Sequence, residues 1–488
     1  MDIKYIAKTL LVLSILVQII ALNAHAKGDP NGAATLKENP ELPVDFVWVL
    51  VSAFLVFFMQ AGFAMVEAGF TRPKNTINVM FKNLADFTVA SIAFYLVGYA
   101  FMMGSDWKGV IGTSGFALLG DYYDVQEILV WFFMLVFAGT AATIVSGAIA
   151  ERPKFIGYLL GSIMVTAFIY PVYGHWIWGG GWLSQHPFLE RLAGGYGALD
   201  FAGSGAVHAL GGYVALAALL VLGPRIGRYD EKGNPRPIPG HNLALAALGT
   251  FILWFAWFGF NAGSTLSAHE LRISIIAANT NLAAAAGALT AMTVTWLKLG
   301  KPELGLTLNG ALGGLVAITA PCAWVAPWAA IVIGIVAGFI VTYGYWWLER
   351  RGIDDAVGAV PVHGFCGTWG LIALGIFADG TYGVYTTEPP LVTGLLYGNP
   401  GFLAVQLISA VVNFAWAFGT GYIVYRAIDR LVGGLRASSS EETIGLDVAE
   451  HMALAYPYFV QTEMMPSPTV VKKNDAGNTD VKTNSSYE

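Results

Sequence analysis

Long apolar runs recur along almost the whole chain and are separated by short polar segments. Eleven runs lie at about residues 44–66, 84–104, 127–149, 155–177, 201–223, 242–263, 274–296, 305–321, 326–347, 359–378 and 402–425. Their lengths are close to the roughly 20 residues that an α-helix needs to cross a lipid core. The pattern predicts an all-α polytopic membrane protein with eleven transmembrane helices.

The composition agrees with a chain that lies mostly in lipid. Of 488 residues, 56% are hydrophobic and 12% are charged, whereas a soluble domain has about 25% charged residues. The chain has two cysteines, Cys322 and Cys366, both in apolar surroundings, so they support neither a disulfide framework nor a metal site. We expect no metal, no cofactor and no enzymatic activity.

The first 26 residues differ from the other apolar runs. Lys4 and Lys8 precede the run "TLLVLSILVQIIAL", and "AHA" at 24–26 has the small-x-small form of a cleavage site. The run has 14 residues, which is short for a transmembrane helix. We therefore expect a signal peptide over 1–26, followed by an extracytoplasmic N-terminal segment over 27–43.

An outside N-terminus and eleven crossings place the tail, residues 426–488, in the cytoplasm. The loops and the tail then carry 19 lysines and arginines inside and 5 outside, as the positive-inside rule requires. The inside residues are Arg72, Lys74, Lys82, Arg152, Lys154, Arg225, Arg228, Lys232, Arg236, Lys298, Lys301, Arg350, Arg351, Arg426, Arg430, Arg436, Lys472, Lys473 and Lys482. The predicted location is the plasma (inner) membrane, with a tail that is disordered from about 470.

Runs one to five and six to ten resemble two copies of one unit. "FFMQAGFAM" at 57–65 parallels "WFGFNAGST" at 257–265, and an aspartate followed eight residues later by a histidine occurs once in each half. Because five helices is an odd number, the two halves have opposite orientations in the membrane, as in many transporters. The transmembrane domain at 44–425 is thus an inverted repeat, about 44–223 and 242–378, plus a last helix at about 402–425.

The two aspartate–histidine pairs are Asp200 with His208 and Asp355 with His363. Eight helical residues rise about 12 Å, and the two pairs enter from opposite surfaces of a core about 30 Å thick. Both histidines are therefore expected near the midplane, close enough to touch. Ionisable groups there indicate a transport pathway or proton relay; the alternative is two core histidines bonded to backbone. Each aspartate is expected to cap a helix N-terminus.

Six motifs in order resemble the ammonium transporter family, the Amt branch of the Amt/Mep/Rh superfamily. The resemblance covers about 44–456 and implies a homotrimer of eleven-helix subunits. The motifs are "AERPKF" at 150–155, "WGGGW" at 178–182, "DFAGSGAVH" at 200–208, "WFGFNAGS" at 257–264, "LNGALGGLVAITAPCA" at 308–323 and "VHGFCG" at 362–367.

The resemblance implies an outer ammonium site and a gate beneath it. Trp178 and Ser264 match the residues that recruit ammonium, and Phe137 borders this site. Phe137, fourteen residues before Glu151, and Phe260 match a stacked phenyl gate.

The same resemblance implies the lining of the pore below the gate. His208 and His363 match the twin histidines, Asp200 matches the acidic residue that supports the outer site, and Asp355 is its pseudo-symmetric partner.

Two segments depart from the family pattern. The loop between Trp178 and Asp200 is longer than in compact members, which leaves the shape of the outer vestibule open. In the tail motif "GLDVAEHMALAY" at 445–456, Met452 stands where a glycine is usual. A PII-type regulatory protein at the tail is thus a partner that the resemblance leaves open.

The function implied is ammonium transport: ammonium binds outside, loses a proton and crosses as ammonia. The proton is expected to follow through the histidines, which makes transport electrogenic. Three alternatives remain at this point: a passive ammonia or carbon dioxide channel of the Rhesus type, a sensor that signals through its tail, and a membrane enzyme. The Trp178–Ser264 pair argues against the first, the absence of an output domain in this chain against the second, and the lack of a nucleophile–base spacing against the third.

Overall fold

Eleven apolar helices form the membrane domain, and this confirms the predicted fold class. The structure, a computed structural model, describes residues 28–385 and 388–457. Within these ranges ten helices are long and apolar enough to cross a membrane. The eleventh apolar helix, which is the eighth along the chain, is shorter and has its apolar part at Leu304–Ile318. The predicted signal peptide and the predicted disordered end of the tail lie outside the described residues.

The membrane helices are labelled α1 to α11 in chain order. Four of them contain a π-helical turn, which lies inside α2 and α4 and at the start of α5 and α10. Their bounds are α1 Leu42–Phe70; α2 Thr76–Ala93, Phe94–Gly98 (π) and Tyr99–Met103; α3 Val125–Ala148; α4 Phe155–Met164, Val165–Ile169 (π) and Tyr170–Ile177; α5 Ser204–Ala209 (π) and Leu210–Leu222; α6 Leu243–Ala262; α7 Ile273–Leu299; α8 Leu304–Thr319; α9 Pro327–Arg350; α10 Val360–Phe365 (π) and Cys366–Phe377; α11 Pro400–Leu431.

Most predicted ends lie within a few residues of the observed ones, but α2 is an exception. It begins at Thr76, eight residues before the predicted start at 84. Lys82, which the charge count assigned to a loop, therefore lies inside α2 and is fully buried. The assignment of Lys82 to a polar loop was wrong, because a polar run can continue a helix when neighbouring helices bury it.

Two small hairpins and two short helices lie between membrane helices, one short helix precedes α1, and two follow α11. The strands are β1 Asp106–Trp107 with β2 Ile111–Gly112, and β3 Asp379–Gly383 with β4 Leu391–Thr393, both antiparallel. The short helices are Ala33–Glu38, Trp182–Gln185, Pro187–Ala193, Ser439–Ile444 and Leu446–His451. Both hairpins lie on the face of the membrane domain that carries Trp178, named the Trp178 face; the opposite face is named the tail face.

Side-chain caps fix where several helices begin. Asp124 accepts a hydrogen bond from the amide of Gln126 at the start of α3, and Asn399 accepts one from Phe402 at the start of α11. Glu303 accepts two, from the amides of Gly305 and Leu306, at the start of α8. These oxygens pair amide groups that have no acceptor within the helix.

The backbones of α5 and α10 touch where the two helices cross. A Cβ atom at Gly212 would lie 2.2 Å from the amide nitrogen of Gly364, and one at Gly367 would lie 2.3 Å from the carbonyl oxygen of Ser204. No side chain fits at those distances, so the crossing requires glycine. The reciprocal pair of contacts, each from one half to the other, is what an inverted repeat predicts.

The tail helices dock on the loop that joins α1 and α2 and on the first turn of α2. The amide of Leu446 donates to Asn75 Oδ1, and the amide of Asn78 donates to Asp447 Oδ1. Met452 ends the last helix with a φ of 51°, in the left-handed region that favours glycine. This conformation explains why the family usually has a glycine there, and the methionine adopts it with its side chain exposed.

A buried arginine cluster joins three loops on the tail face around Asp354. Its carboxylate accepts from the backbone and guanidinium of Arg225 at 2.8–2.9 Å and from Arg228 at 3.2 Å, and Arg152 donates to its backbone carbonyl. Burial alone would raise the pKa of Asp354, but the hydrogen bonds from Arg225 and the positive charges of Arg152 and Arg225 hold it well below its ordinary value.

We expect Asp354→Asn to lower the free energy of unfolding by about 3 kcal/mol at pH 7, because buried guanidinium groups lose their counter-charge. The folded pKa is depressed, so this stabilisation is complete above the unfolded pKa of about 4 and is lost as the pH falls below it. Thermal unfolding in detergent at pH 7 and below pH 4 measures both effects. The control is Asp121→Asn, an exposed aspartate; equal thermal midpoints for the two variants at pH 7 would contradict the expectation.

Candidate functional site

Two buried histidines meet at the centre of the membrane domain. The Nδ1 atoms of His208 and His363 lie 3.2 Å apart, and their ring centroids are 5.3 Å apart at an interplanar angle of 23°. One Nδ1 must donate and the other accept, so the two rings have different tautomers. His208 Nε2 is buried and has no hydrogen-bond partner among the described residues. The structure brings together the pair that the sequence predicted near the midplane.

The path by which each histidine reaches the centre differs from the prediction. Helix α5 starts at Ser204, so only the second half of the segment from Asp200 to His208 is helical. Helix α10 likewise starts at Val360, three residues before His363. The prediction that eight residues of continuous helix join each aspartate to its histidine was therefore wrong. Non-helical chain reaches into the domain, and each histidine lies in a π-helical first turn.

Asp200 and Asp355 hold these non-helical entries in place. Asp200 Oδ1 accepts from the amides of Gly203 and Ser204, and Oδ2 from those of Gly205 and Ala206, at 2.8–3.0 Å. Asp355 accepts from the amides of residues 358, 359 and 360 at 2.7–3.0 Å. Both carboxylates are buried in the described structure. Capping, which the sequence predicted for both, accounts for their position without any direct role in chemistry.

A vestibule opens on the Trp178 face above the histidines. It is a cavity of about 320 Å³ whose lining includes Phe137, Trp178, Asp200, Ser264 and Tyr385. The indole N–H of Trp178 donates to the carbonyl of Asp200 at 2.7 Å, which fixes the indole at the cavity wall. Ser264 Oγ donates to the carbonyl of Phe260 at 2.8 Å, so its oxygen lone pairs remain free to accept a hydrogen bond.

Two phenyl rings close the bottom of this vestibule. Phe137 and Phe260 stack with centroids 4.0 Å apart at an interplanar angle of 18°. Phe137 also contacts Trp178 edge to face, with centroids 6.3 Å apart. Phe260 contacts the ring of His208, with centroids 5.2 Å apart. The two rings therefore separate the vestibule from the histidine pair.

Sequence reasoning missed Trp257. Its indole lies against the ring of His208, with centroids 4.9 Å apart at 20°, and its N–H donates to Thr319 Oγ1 at 2.9 Å. The residue lies three positions before Phe260 in α6, which places both on one helix face. That spacing was a signal in the sequence, because the next residue on the face of a gate residue is expected to line the same path.

The longer loop between Trp178 and Asp200 forms the outer wall of this region. It folds into the short helices Trp182–Gln185 and Pro187–Ala193. Asn399, the cap of α11, donates to the carbonyl of Ala193. The second short helix is thus packed against the last helix, and neither short helix lines the vestibule, whose wall includes Ala198 and Leu199 from the end of this loop.

Comparison with known proteins gives consistent matches in sequence. A model described as Ammonium Transporter Family matches residues 47–456. Ammonium transporter Amt2 of Archaeoglobus fulgidus is 71% identical over 445 residues, which cover 91% of this chain and 95% of that protein. Putative ammonium transporter sll1017 of Synechocystis is 43% identical over 420 residues, which cover 84% of this chain and 88% of that protein.

Solved structures give the same result for the fold. One described as "Sensor Amt Protein" has a TM-score of 0.76 and 37% identity, and covers 85% of this chain and 100% of its own. Mep2 of Candida albicans has a TM-score of 0.74 and 30% identity, and covers 87% of this chain and 93% of its own. The chain therefore shares its sequence pattern and its helix arrangement with the same group of membrane proteins.

We expect Asp200→Ala to lower the free energy of unfolding by about 3 kcal/mol, because four buried amides lose their acceptor. The matched control is Asp124→Ala, which removes a half-buried cap from α3 and should cost about 1 kcal/mol. Thermal unfolding of both variants in detergent measures the difference. An Asp200→Ala midpoint as high as that of Asp124→Ala would show that the buried cap adds nothing beyond an ordinary one.

Proposed function

The chain belongs to the ammonium transporter family, and on that premise we propose how it moves its substrate. Ammonium binds in the vestibule between Trp178 and Ser264 and gives up a proton. Ammonia then passes the phenyl rings of Phe137 and Phe260 and the two histidines. The proton follows through the histidine pair, so net transport carries charge. Relatives of this chain are named as transporters, and the chain is not an enzyme.

One observation carries the proposal: the sequence-predicted residues lie along one path, in contact one after another. The Trp178 indole touches Phe137, Phe137 stacks on Phe260, Phe260 touches His208, and His208 bonds to His363. A set of unrelated core residues has no reason to form such a series. The series runs from an open cavity on one face to the centre of the membrane.

The vestibule offers ammonium two kinds of contact. A cation against an indole face gains electrostatic attraction, worth about 2 kcal/mol or more when the cation is desolvated. The free lone pairs of Ser264 accept one ammonium N–H bond. The carboxylate of Asp200 is fully occupied by four amide groups, so its part is to hold the backbone carbonyl that fixes Trp178 and to add negative potential.

The apolar path below the vestibule supports selectivity against potassium. Ammonium and potassium have the same charge and similar size, so an apolar constriction imposes a similar desolvation cost on both ions. Only ammonium can avoid this cost by losing a proton and continuing as a neutral molecule. Phe137, Phe260 and Trp257 together form an apolar wall around the approach to His208.

The histidine pair supports a proton path beside the ammonia path. Because one Nδ1 donates and the other accepts, a proton taken up at Nε2 of the donor ring allows the Nδ1 proton of that ring to cross to the acceptor ring. The acceptor ring then releases its own Nε2 proton on the far side, which leaves both rings neutral with their tautomers exchanged, and the rings return to their first tautomers before the next proton. Ammonia and the proton then leave separately and recombine beyond His363.

The orientation follows from the charge distribution. The lysines and arginines of the loops favour the tail face as cytoplasmic, and the Trp178 face is then outside, in the plasma (inner) membrane.

The family resemblance implies a homotrimer. The docked helices at 439–451 present a surface on the tail face where a PII-type regulatory protein would bind, and Met452 is exposed there.

A second candidate function is sensing, and one observation favours it: the solved structure described as "Sensor Amt Protein" is 37% identical over 85% of this chain. A sensor and a transporter share ammonium binding in the vestibule. They differ in turnover, since a sensor that does not transport gives a brief charge displacement that does not scale with liposome size. The passive ammonia channel gives ammonia entry without current.

We expect the double variant His208→Leu, His363→Leu to lose at least about tenfold of its ammonium-evoked current, since positioned acid–base groups contribute factors of this size or more. Ammonia entry, followed by an internal pH dye in the same proteoliposomes, should persist. His186→Leu, an exposed histidine on the Trp178 face, is the control. Current that persists in the double variant would refute the relay.

A further inference from the structure

A buried group of charged side chains lies between α1 and α2, outside the path described above. Glu67, Lys82 and Asp86 are 2%, 0% and 0% exposed. Charged residues at membrane depth are costly and are commonly retained for a functional role. The transport path as proposed uses none of the three.

The hydrogen bonds of Glu67 are incomplete. Its Oε2 accepts from Ser146 Oγ at 2.7 Å and from Asn83 Nδ2 at 3.1 Å, while its Oε1 is buried without a partner among the described residues. Lys82 Nζ donates to the backbone carbonyl of Ser146 at 3.0 Å. Glu67 and the ammonium group of Lys82 are therefore bonded to the same serine. A carboxylate held in this way keeps one oxygen free to receive a proton.

Glu67 shares a cavity with one residue of the transport path, His363. A small cavity of about 20 Å³ is lined by both Glu67 and His363, together with Phe63, Thr143, Asn309 and Val357. None of its lining residues belongs to the vestibule on the Trp178 face, so it lies beyond the histidine pair. Its volume suits about one water molecule. One water between an imidazole and a carboxylate is enough to pass a proton.

We propose that Glu67 accepts the proton that leaves the histidine pair, through water in this cavity. This inference rests on the proposed function, because it assumes that His363 releases a proton on the tail side. In the step, an imidazolium N–H bond breaks and a carboxyl O–H bond forms, with the water exchanging one proton for another. Glu67 then loses the proton to water on the tail side, and the carboxylate is restored.

The role of the neighbours follows from charge and geometry. The positive charge of Lys82 offsets the negative charge of Glu67 while Glu67 is deprotonated. Asp86 accepts from Gln60 Nε2 at 2.9 Å and from Tyr158 Oη, so each of its oxygens has a partner, and Asp86 does not line the cavity. Glu67 is thus the carboxylate of the group that is open to the path.

A purely structural network is the competing explanation, since these bonds also join α1, α2 and α3. The structural role and the proton-acceptor role predict different effects of Glu67→Gln on transport. Glutamine keeps the size of the side chain and an oxygen for Ser146 and Asn83, but it does not take up a proton. A structural role tolerates this change or loses all function together, whereas a proton acceptor loses current and keeps ammonia entry.

The experiment compares wild type, Glu67→Gln, Glu67→Asp and the control Glu127→Gln in proteoliposomes. Glu127 is a carboxylate that accepts from Tyr99 Oη at 2.6 Å and lines neither cavity. Each sample receives an ammonium chloride pulse, with current and internal pH recorded. We expect the Glu67→Gln current to fall about tenfold or more with ammonia entry within about twofold of wild type, and Glu67→Asp and Glu127→Gln to keep most of the current.

Four results decide against the proposal or its premise. Glu67→Gln current equal to that of Glu127→Gln would overturn it, and so would a parallel loss of current and ammonia entry in folded Glu67→Gln protein. Absence of current in wild type would overturn the proposed function itself, before any variant is compared. If Glu67→Gln does not assemble, ammonium-minus-potassium infrared difference spectra of wild type and Glu67→Asp decide: a carboxylic acid band that does not shift between them would overturn the proposal.

Discussion

The close crossing of α5 and α10 is the contact on which the rest of the path depends. At this crossing Gly212 meets the backbone beside His363, and Gly367 meets the backbone of the turn that carries His208. A single methyl group at either position would separate the helices and break the hydrogen bond between the two Nδ1 atoms. Each half of the inverted repeat contributes one of these two glycine contacts, so each half positions the histidine of the other half.

The polar groups at membrane depth are arranged around this crossing according to one principle. Asp200 and Asp355 have their oxygens paired by amide groups, so neither offers an unpaired oxygen to the path. The histidines are paired with each other. Apolar rings cover the approach from the Trp178 face. The path therefore places two imidazoles beyond apolar rings that offer an ion nothing in place of its water shell, which supports the proposal that ammonia passes and metal cations are rejected.

The sequence predicted the fold well because the physical signals were strong and local. Apolar runs of membrane length marked the helices, and the repeated aspartate–histidine spacing marked the histidine pair. The start of α2 was missed because Lys82 and Asn83 look like loop residues until their burial by neighbouring helices is known. Glu67 was missed for a related reason: its importance depends on what lies opposite it, and that is decided by tertiary packing, whereas the three-residue spacing of Trp257 from Phe260 was a signal in the sequence. The φ of Met452 is likewise a property of the docked tail, which no local pattern reveals.

Ammonium is proposed to lose its charge in order to cross, which potassium cannot do. The current of purified wild-type protein in proteoliposomes on a solid-supported membrane, after an ammonium pulse and a matched potassium pulse, tests this difference. Loss of a proton before crossing predicts a sustained current with ammonium that scales with protein density, and none with potassium. A potassium current of comparable size, or ammonia entry with no ammonium current, would contradict it.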